Sequence, residues 1–366
     1  MTQDVTMSLT FVVEPNAHPL SAAQRADLLV DPGFGRVFTD HMAIVRYSTD
    51  KGWHDARITA RSPVTLEPAA SVLHYAQEIF EGLKAYRRPQ GAALFRPDAN
   101  ARRFRASARR LAMPELPEEL FLESVRALVK ADIDWIPQDE DGALYLRPFM
   151  FASEVFLGVK PASEYLYIVM ASSVGRYFKG GPRAVSLWVT REYTRAAPGG
   201  TGAAKCGGNY AASLAAQADA ISRGCDQVVF LDAAERRWIE ELGGMNIFFV
   251  FDDGSIATPP LDGTILPGVT RDSILTLARD AGIAAREERY SIEQWQADAA
   301  SGRLTEAFAC GTAAVVTPIG RVQGEGIDFT INGERVGPTT QRIREALVAI
   351  QRGTAPDPHD WVEELA

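Results

Sequence analysis

Strand-like and helix-like segments alternate along the whole of this 366-residue chain, and that alternation constrains its fold more than any other feature. His41–Tyr47, Ala143–Met150, Glu164–Ala171 and Asn246–Phe251 read as strands. Ala69–Ile79, Glu118–Asp132, Val269–Ala281 and Thr339–Arg352 read as helices. Gly82–Arg87 and Ala92–Arg96 flank Arg88-Pro89-Gln90-Gly91, which is a hairpin signal. Asp98 or Asn100 caps a helix to about Leu111, with Phe104, Ala108 and Leu111 on one face. A further helix, ending near Ser222, aligns Tyr210, Leu214, Ala218 and Ile221. There is no internal repeat. The pattern predicts an α/β (α+β) protein. Ser172–Arg183 (SSVGRYFKGGPR) breaks the periodicity with three glycines, a proline and three cationic residues, and reads as a linker. The expected division is a first domain over 1–172, a linker over 173–183 and a second domain over 184–366.

Charge and cysteine content narrow the function. The 38 basic and 47 acidic residues give a formal net charge of −9, which argues against nucleic-acid or anionic-membrane partners. Five arginines between Arg102 and Arg110 share their helix with a single aromatic, Phe104, so a nucleic-acid-binding helix is a weak reading. Cys206, Cys225 and Cys310 are an odd set without a C-x-x-C pair, and no H-E-x-x-H occurs; no disulfide framework and no metal site is expected. The runs richest in apolar residues, such as Met245–Phe251, fall short of the about 18 residues a membrane helix needs. The acidic start, with Asp4 and Glu14, does not read as a secretory signal. A soluble, cytoplasmic protein is expected.

The most unusual segment is Gly199-Gly200-Thr201-Gly202-Ala203-Ala204-Lys205-Cys206-Gly207-Gly208-Asn209-Tyr210. A P-loop requires Gly before the lysine and Ser or Thr after it; Ala204 and Cys206 stand there. A dinucleotide fingerprint requires a third glycine where Lys205 lies. A lysine among small residues also suits pyridoxal phosphate, held as a Schiff base to the amine. The alternative is a solvated lysine on a flexible loop. A pyridoxal site further requires a hydroxyl near the ring oxygen, an acid for the pyridine nitrogen and a phosphate cradle. Tyr210, either Glu240 or Glu241, and the helix entrance Leu266–Ser273 are in place to supply them. Each has an ordinary alternative: core packing for Tyr210, solvation for the acids, a simple helix start for Pro267-Gly268.

Nine segments, taken in order, carry a resemblance. They are Gly33–Met42 (GFGRVFTDHM), Leu73–Arg87 (LHYAQEIFEGLKAYR), Phe95–Leu111 (FRPDANARRFRASARRL), Tyr145–Phe149 (YLRPF), Val174–Phe178 (VGRYF), Gly202–Tyr210 (GAAKCGGNY), Glu241–Phe249 (ELGGMNIFF), Ile265–Arg271 (ILPGVTR) and Cys310–Pro318 (CGTAAVVTP). Together they resemble the class IV pyridoxal-phosphate aminotransferases, and among these the branched-chain amino acid aminotransferases. The resemblance implies a two-domain fold-type IV enzyme, with a small N-terminal α/β domain, a larger C-terminal domain and the cofactor at their interface. It implies a homodimer or higher homo-oligomer.

It also implies roles. Lys205 is the Schiff-base lysine and moves the substrate's α-proton; Tyr210 lies beside the ring oxygen; Glu241 keeps the pyridine nitrogen protonated. Arg103, the amides of Val269 and Thr270, and the Thr312 hydroxyl hold the phosphate. Phe34, Tyr75, Phe80, Tyr145, Arg147 and Tyr177 form the substrate pocket, with Gly244, Thr312 and Ala313 near the carboxylate. The implied activity is reversible, ping-pong transfer of an amino group between L-leucine, L-isoleucine or L-valine and 2-oxoglutarate, with branched-chain 2-oxo acids as products, in branched-chain amino acid biosynthesis. Aromatic walls suit a branched aliphatic side chain, and Arg147 with Tyr75 suit the distal carboxylate of 2-oxoglutarate.

The chain departs from the family pattern in two places. Ala314 and Thr317 stand where some relatives carry a C-x-x-C redox pair, and Gly244 where some carry threonine. No thiol switch is expected, and Cys206 reads as a small buried filler. Rival readings are a D-amino acid or amine aminotransferase, an aminodeoxychorismate lyase, or a non-catalytic pyridoxal-phosphate carrier.

Overall fold

The structure, a computed structural model, describes residues 9–139, 142–175 and 183–365. The chain forms two compact units, Met1–Arg176 with His359–Ala366, and Tyr177–Pro358. No helix among the described residues is long and apolar enough to cross a membrane.

In the first unit nine strands of the described residues form one sheet. Its order is Val12–Val13, Gly52–Ala60, Val37–Ser48, Glu164–Val174, Ala143–Ala152, Leu83–Arg88, Gly91–Phe95 and Val362–Leu365, with Glu78–Phe80 also paired to Ala143–Ala152. All neighbours are antiparallel except the first pair. The expected hairpin closes at Arg88↔Gly91, where Gly91 has φ 100°. Helices Pro97–Arg110 and Glu118–Ala131 cover one face. Phe104, Phe121 and Tyr167 meet there with ring centroids 5.5 to 6.4 Å apart.

Several expectations change. The helix expected over Ala69–Ile79 shrinks to Val72–Tyr75, because Ala76 turns left-handed (φ 49°) and Ile79 joins the strand Glu78–Phe80. Neither Asp98 nor Asn100 caps the next helix; Pro97 opens it after Arg96, which also has positive φ. The second domain is expected to run to residue 366, but Val362–Leu365 pairs with Gly91–Phe95 in the first sheet. The expected linker, 173–183, lies largely outside the described residues; Ser173 and Val174 end a strand.

The second unit holds another nine-stranded sheet. Its order is Ile239–Leu242, Gln227–Leu231, Val185–Thr190, Val315–Gly324, Leu304–Gly311, Asn246–Phe251, Ile256–Thr258 and Ala285–Glu287, with Ile327–Thr330 also paired to Val315–Gly324. Val185–Thr190 is parallel to both neighbours. Central strands of such a sheet are covered on both faces, so Asn246–Phe251 (NIFFVF) is buried throughout. Phe249 packs on Tyr290 and Trp295 at 4.5 and 5.1 Å between centroids. The helix Gly207–Ser222 corrects its expected register: Leu214 and Ile221 are 66% and 62% exposed. Ala216 and Ala220 instead pack against Val228 and Phe230, since small side chains allow the helix to lie close to the sheet.

Candidate active site

The glycine-rich loop is fixed by backbone contacts that only small residues permit. A Cβ on Gly202 would stand 2.3 Å from the Thr264 carbonyl oxygen, and the Ala203 amide donates to the Gly263 carbonyl at 3.1 Å. Asn209 ties the loop's ends: its side-chain amide donates to the carbonyls of Thr201 and Ala204, both at 2.8 Å. Lys205 leaves this loop just before the helix Gly207–Ser222, and Tyr210 lies in that helix's first turn. Lys205 Nζ donates to Tyr210 Oη at 2.9 Å. The Tyr210 ring lies beside Gly244, where an added Cβ would stand 3.6 Å from Cε1.

Glu240 and Glu241 are adjacent on the strand Ile239–Leu242, so they point to opposite faces. Glu240 accepts from the Thr264 hydroxyl at 2.6 Å. Glu241 is buried; its Oε1 lies 2.8 Å from Arg195 Nη1 in an ion pair and accepts from the Leu266 amide at 3.0 Å, while Oε2 receives only Asn246 Nδ2, at 3.4 Å, among the described residues. Burial pushes the Glu241 carboxyl up to about 7, against the pull of Arg195 and of Lys205. Arg195 is a site residue that sequence reasoning misses; a single arginine in TRAAPGG carries no pattern.

Around these groups lie two tight turns and a helix start. The helix Val269–Asp280 begins at Gly268, which has no side chain with which to cap it, so its first amides are open to an anion. Gly268 is required by its neighbour: a Cβ there would stand 2.0 Å from Asn246 Oδ1. Asn246 in turn donates to the Leu266 carbonyl at 3.0 Å, so one side chain aligns both Glu241 and the helix entrance. Thr312 and Ala313 sit in the turn that joins Leu304–Gly311 to Val315–Gly324. Val315 closes this turn with φ 61°, a strained conformation for a β-branched residue. An added Cβ on Gly311 would stand 3.4 Å from Met245 Cγ and 3.8 Å from the Gly244 carbonyl oxygen, so the Thr312 turn abuts the Gly244 turn.

The remaining candidates among the described residues belong to the first unit. Arg103 is buried and paired with Glu81, which also accepts from Asn100 Nδ2 at 2.7 Å and from the Gly82 amide at 3.0 Å. Glu81 is a second residue that the sequence leaves without a role, although it stands in the quoted Phe80-Glu81-Gly82 segment. Phe34, Phe80, Tyr145 and Arg147 come together. Phe34 meets Tyr145 edge to face at 5.1 Å, and the Arg147 guanidinium lies 4.8 Å from the Phe80 ring and 5.4 Å from that of Tyr145. Arg147 Nη2 donates to Tyr145 Oη at 3.1 Å, and Arg147 Nε is buried without a partner among the described residues. Tyr75 differs from expectation: its hydroxyl donates to the Leu157 carbonyl and not to a group beside Arg147. Tyr177 lies outside the described residues.

A lysine bonded to a tyrosine, a buried acid, an uncapped helix start and an adjoining Gly-Thr-Ala turn now stand together in one unit. The model of the family described as amino-transferase class IV matches residues 78–322. This chain belongs to the class IV aminotransferases. It is 57% identical over 359 residues to the probable branched-chain-amino-acid aminotransferase of Streptomyces coelicolor, covering 98% of this chain and 99% of that one. It is 56% identical over 363 residues to the branched-chain-amino-acid aminotransferase of Mycobacterium tuberculosis, again covering 98% and 99%. The crystal structure of the Escherichia coli branched-chain amino acid aminotransferase superposes with a TM-score of 0.74 at 28% identity, over 89% of this chain and 99% of that one. The branched-chain aminotransferase of the thermophilic archaeon Thermoproteus uzoniensis, solved with norvaline, gives 0.73 at 26% identity, over 89% and 100%. As a class IV aminotransferase, the chain has the two-sheet mixed architecture of its structural neighbours.

Proposed function

We propose that this aminotransferase binds pyridoxal 5'-phosphate and exchanges amino groups between branched-chain L-amino acids and 2-oxoglutarate. The observation that carries the reading is the Lys205–Tyr210 contact at 2.9 Å in the same unit as the buried, arginine-paired Glu241. The residues suit the cofactor: an amine to hold it, a phenol, an acid with acceptor capacity at Oε2, and open amides at Val269 and Thr270. The cofactor, when bound, supplies an electron-withdrawing ring that stabilises the electron pair left by removal of the α-proton.

The chain supplies the rest. Lys205 Nζ would take the substrate's α-proton as general base and give it up again as general acid, a contribution worth roughly 10²–10⁴-fold. Tyr210 Oη orients that amine. Glu241 would accept the hydrogen bond of a protonated ring nitrogen and so keep it charged. Arg103, the amides of Val269 and Thr270, and the Thr312 hydroxyl are assigned to the phosphate. Phe34, Phe80 and Tyr145 are assigned to the aliphatic side chain and Arg147 to the distal carboxylate; Tyr75 and Tyr177 are assigned to the substrate on the family resemblance alone. Gly244 and Ala313 lie near the α-carboxylate, with backbone amides in place of a hydroxyl at Gly244.

Two further assignments belong to this reading. Val155, Phe156, Leu157 and Val159 are 41% to 89% exposed on the first unit, an apolar strip suited to contact with a second copy in a homodimer. Three free, buried cysteines fit a reducing, cytoplasmic setting.

The test is absorbance of the purified protein with pyridoxal phosphate, before and after L-leucine and then 2-oxoglutarate. The reading expects a Schiff-base band that L-leucine bleaches and 2-oxoglutarate restores. A band that responds only to a D-amino acid or an amine would reassign the substrate class; no band would remove the cofactor.

A further inference from the structure

The two buried arginine–carboxylate pairs differ in geometry. Glu81 receives Arg103 through both oxygens, Oε1 from Nε at 2.6 Å and Oε2 from Nη2 at 2.8 Å. Arg195 meets Glu241 as an ion pair, with Nη1 2.8 Å from Oε1, and among the described residues it makes no two-point hydrogen-bonded contact with that carboxylate. The same Nη1 also reaches the Thr264 carbonyl at 2.9 Å and the Gly202 carbonyl at 3.3 Å. Arg195 Nε is buried with no partner among the described residues. The direction of the guanidinium is set by Glu241 and by two loops, one carrying Lys205 and the other leading to the helix start at Val269.

We propose that Arg195 is a positioning residue for the acid: its one-point contact stabilises the Glu241 carboxylate as an anion while leaving Oε2 to the cofactor's ring nitrogen. This rests on the cofactor reading above. A buried carboxyl without a cation favours its neutral form, and a neutral carboxyl cannot keep a pyridine nitrogen protonated. A two-point pair of the Arg103–Glu81 kind would occupy both oxygens. The one-point ion pair meets both requirements. By holding the Gly202 and Thr264 carbonyls as well, Arg195 keeps the lysine loop and the Leu266 segment in register with the acid.

The test compares two ligands on full-length protein stripped of cofactor: pyridoxal 5'-phosphate and its deaza analogue, in which C–H replaces the ring nitrogen. Arg195→Met is expected to weaken pyridoxal phosphate about ten- to a hundredfold, the effect of one neighbouring opposite charge. It should leave the deaza analogue nearly unchanged. Arg195→Lys, which keeps the charge, should recover most of the loss. Equal losses for both ligands, or none, would overturn the proposal and leave Arg195 a packing residue or a bystander. If Arg195→Met does not fold, the double variant Arg195→Met/Glu241→Gln removes the uncompensated charge and is compared with Glu241→Gln. The proposal expects equal affinities for pyridoxal phosphate in these two, and a further loss in the double variant overturns it. Wild-type protein that takes up neither ligand would overturn the cofactor reading and this proposal together.

Discussion

Glu81 grips Arg103 with both carboxylate oxygens, and the two side chains are 0% and 8% exposed. The arginine assigned to the cofactor's phosphate is therefore already paired and aimed within its own unit. Removing one partner from such a pair leaves a buried charge unmatched. Glu81→Ala is expected to cost about 3–5 kcal/mol of stability and to weaken pyridoxal phosphate binding. Thermal unfolding checks the first and cofactor titration the second; a variant as stable as wild type would show that Arg103 finds another anion.

Gly82 is needed because a Cβ there would stand 2.2 Å from the Tyr145 hydroxyl oxygen. Gly82→Ala must displace Tyr145, which receives a hydrogen bond from Arg147. Overpacking of this kind costs about 1–3 kcal/mol. The expected result is a lower melting temperature together with a raised KM for 2-oxoglutarate. Unchanged values in both would mean that the tyrosine moves freely.

In the proposed function Arg147 distinguishes the two substrates. Its charge is assigned to the distal carboxylate, which L-leucine lacks. Arg147→Met should lower kcat/KM for 2-oxoglutarate by about ten- to a hundredfold, the worth of a hydrogen bond to a charged group, and should spare the L-leucine half-reaction. Single-turnover kinetics of each half-reaction decide it, and equal losses would assign Arg147 to structure.

Glu241 gives a pH signature. Its carboxyl moves from an ordinary value of 4.5 to about 7 through burial, opposed by Arg195 and Lys205 and reinforced by Glu240. In the protein without cofactor, the folded chain thus retains a proton that the unfolded chain has released between these values. Stability on this account falls as pH rises through that window. Glu241→Gln should flatten the slope relative to wild type, as read from melting temperatures between about pH 5 and 8. Parallel profiles for the two proteins would place the proton elsewhere.

The three thiols should be inert in the folded state. Cys206, Cys225 and Cys310 are free and buried, and burial pushes the Cys225 and Cys310 thiols up, which suppresses the reactive thiolate. A colourimetric thiol reagent should titrate them only in denaturant. Rapid modification of the native protein with loss of activity would reveal a thiol switch that Ala314 and Thr317 do not provide.

What is legible in the sequence follows physical scale. Segments fixed by local pattern, such as Asn246–Phe251 and the Arg88–Gly91 hairpin, stand where expected. Periodicity picks the wrong face of the Gly207–Ser222 helix because it favours large apolar residues, while the sheet accepts the small Ala216 and Ala220. Lys205 and Tyr210 are five residues apart and can be paired by inspection. Arg195 and Glu241 are far apart in sequence, and only the fold joins them. Glu81 stands within a recognised segment, but its task depends on Arg103 reaching it from the following helix.

The strand Val362–Leu365 completes the first sheet beside Gly91–Phe95, although the second unit lies between them in the chain. During synthesis the backbone edge of Gly91–Phe95 therefore stays uncovered until the whole second unit has been made. A chain interrupted before residue 362 would carry an open strand edge that invites pairing with other chains. A chain interrupted between the second unit and this strand would thus be marked for aggregation or proteolysis, even though the segment that carries Lys205 has already been made.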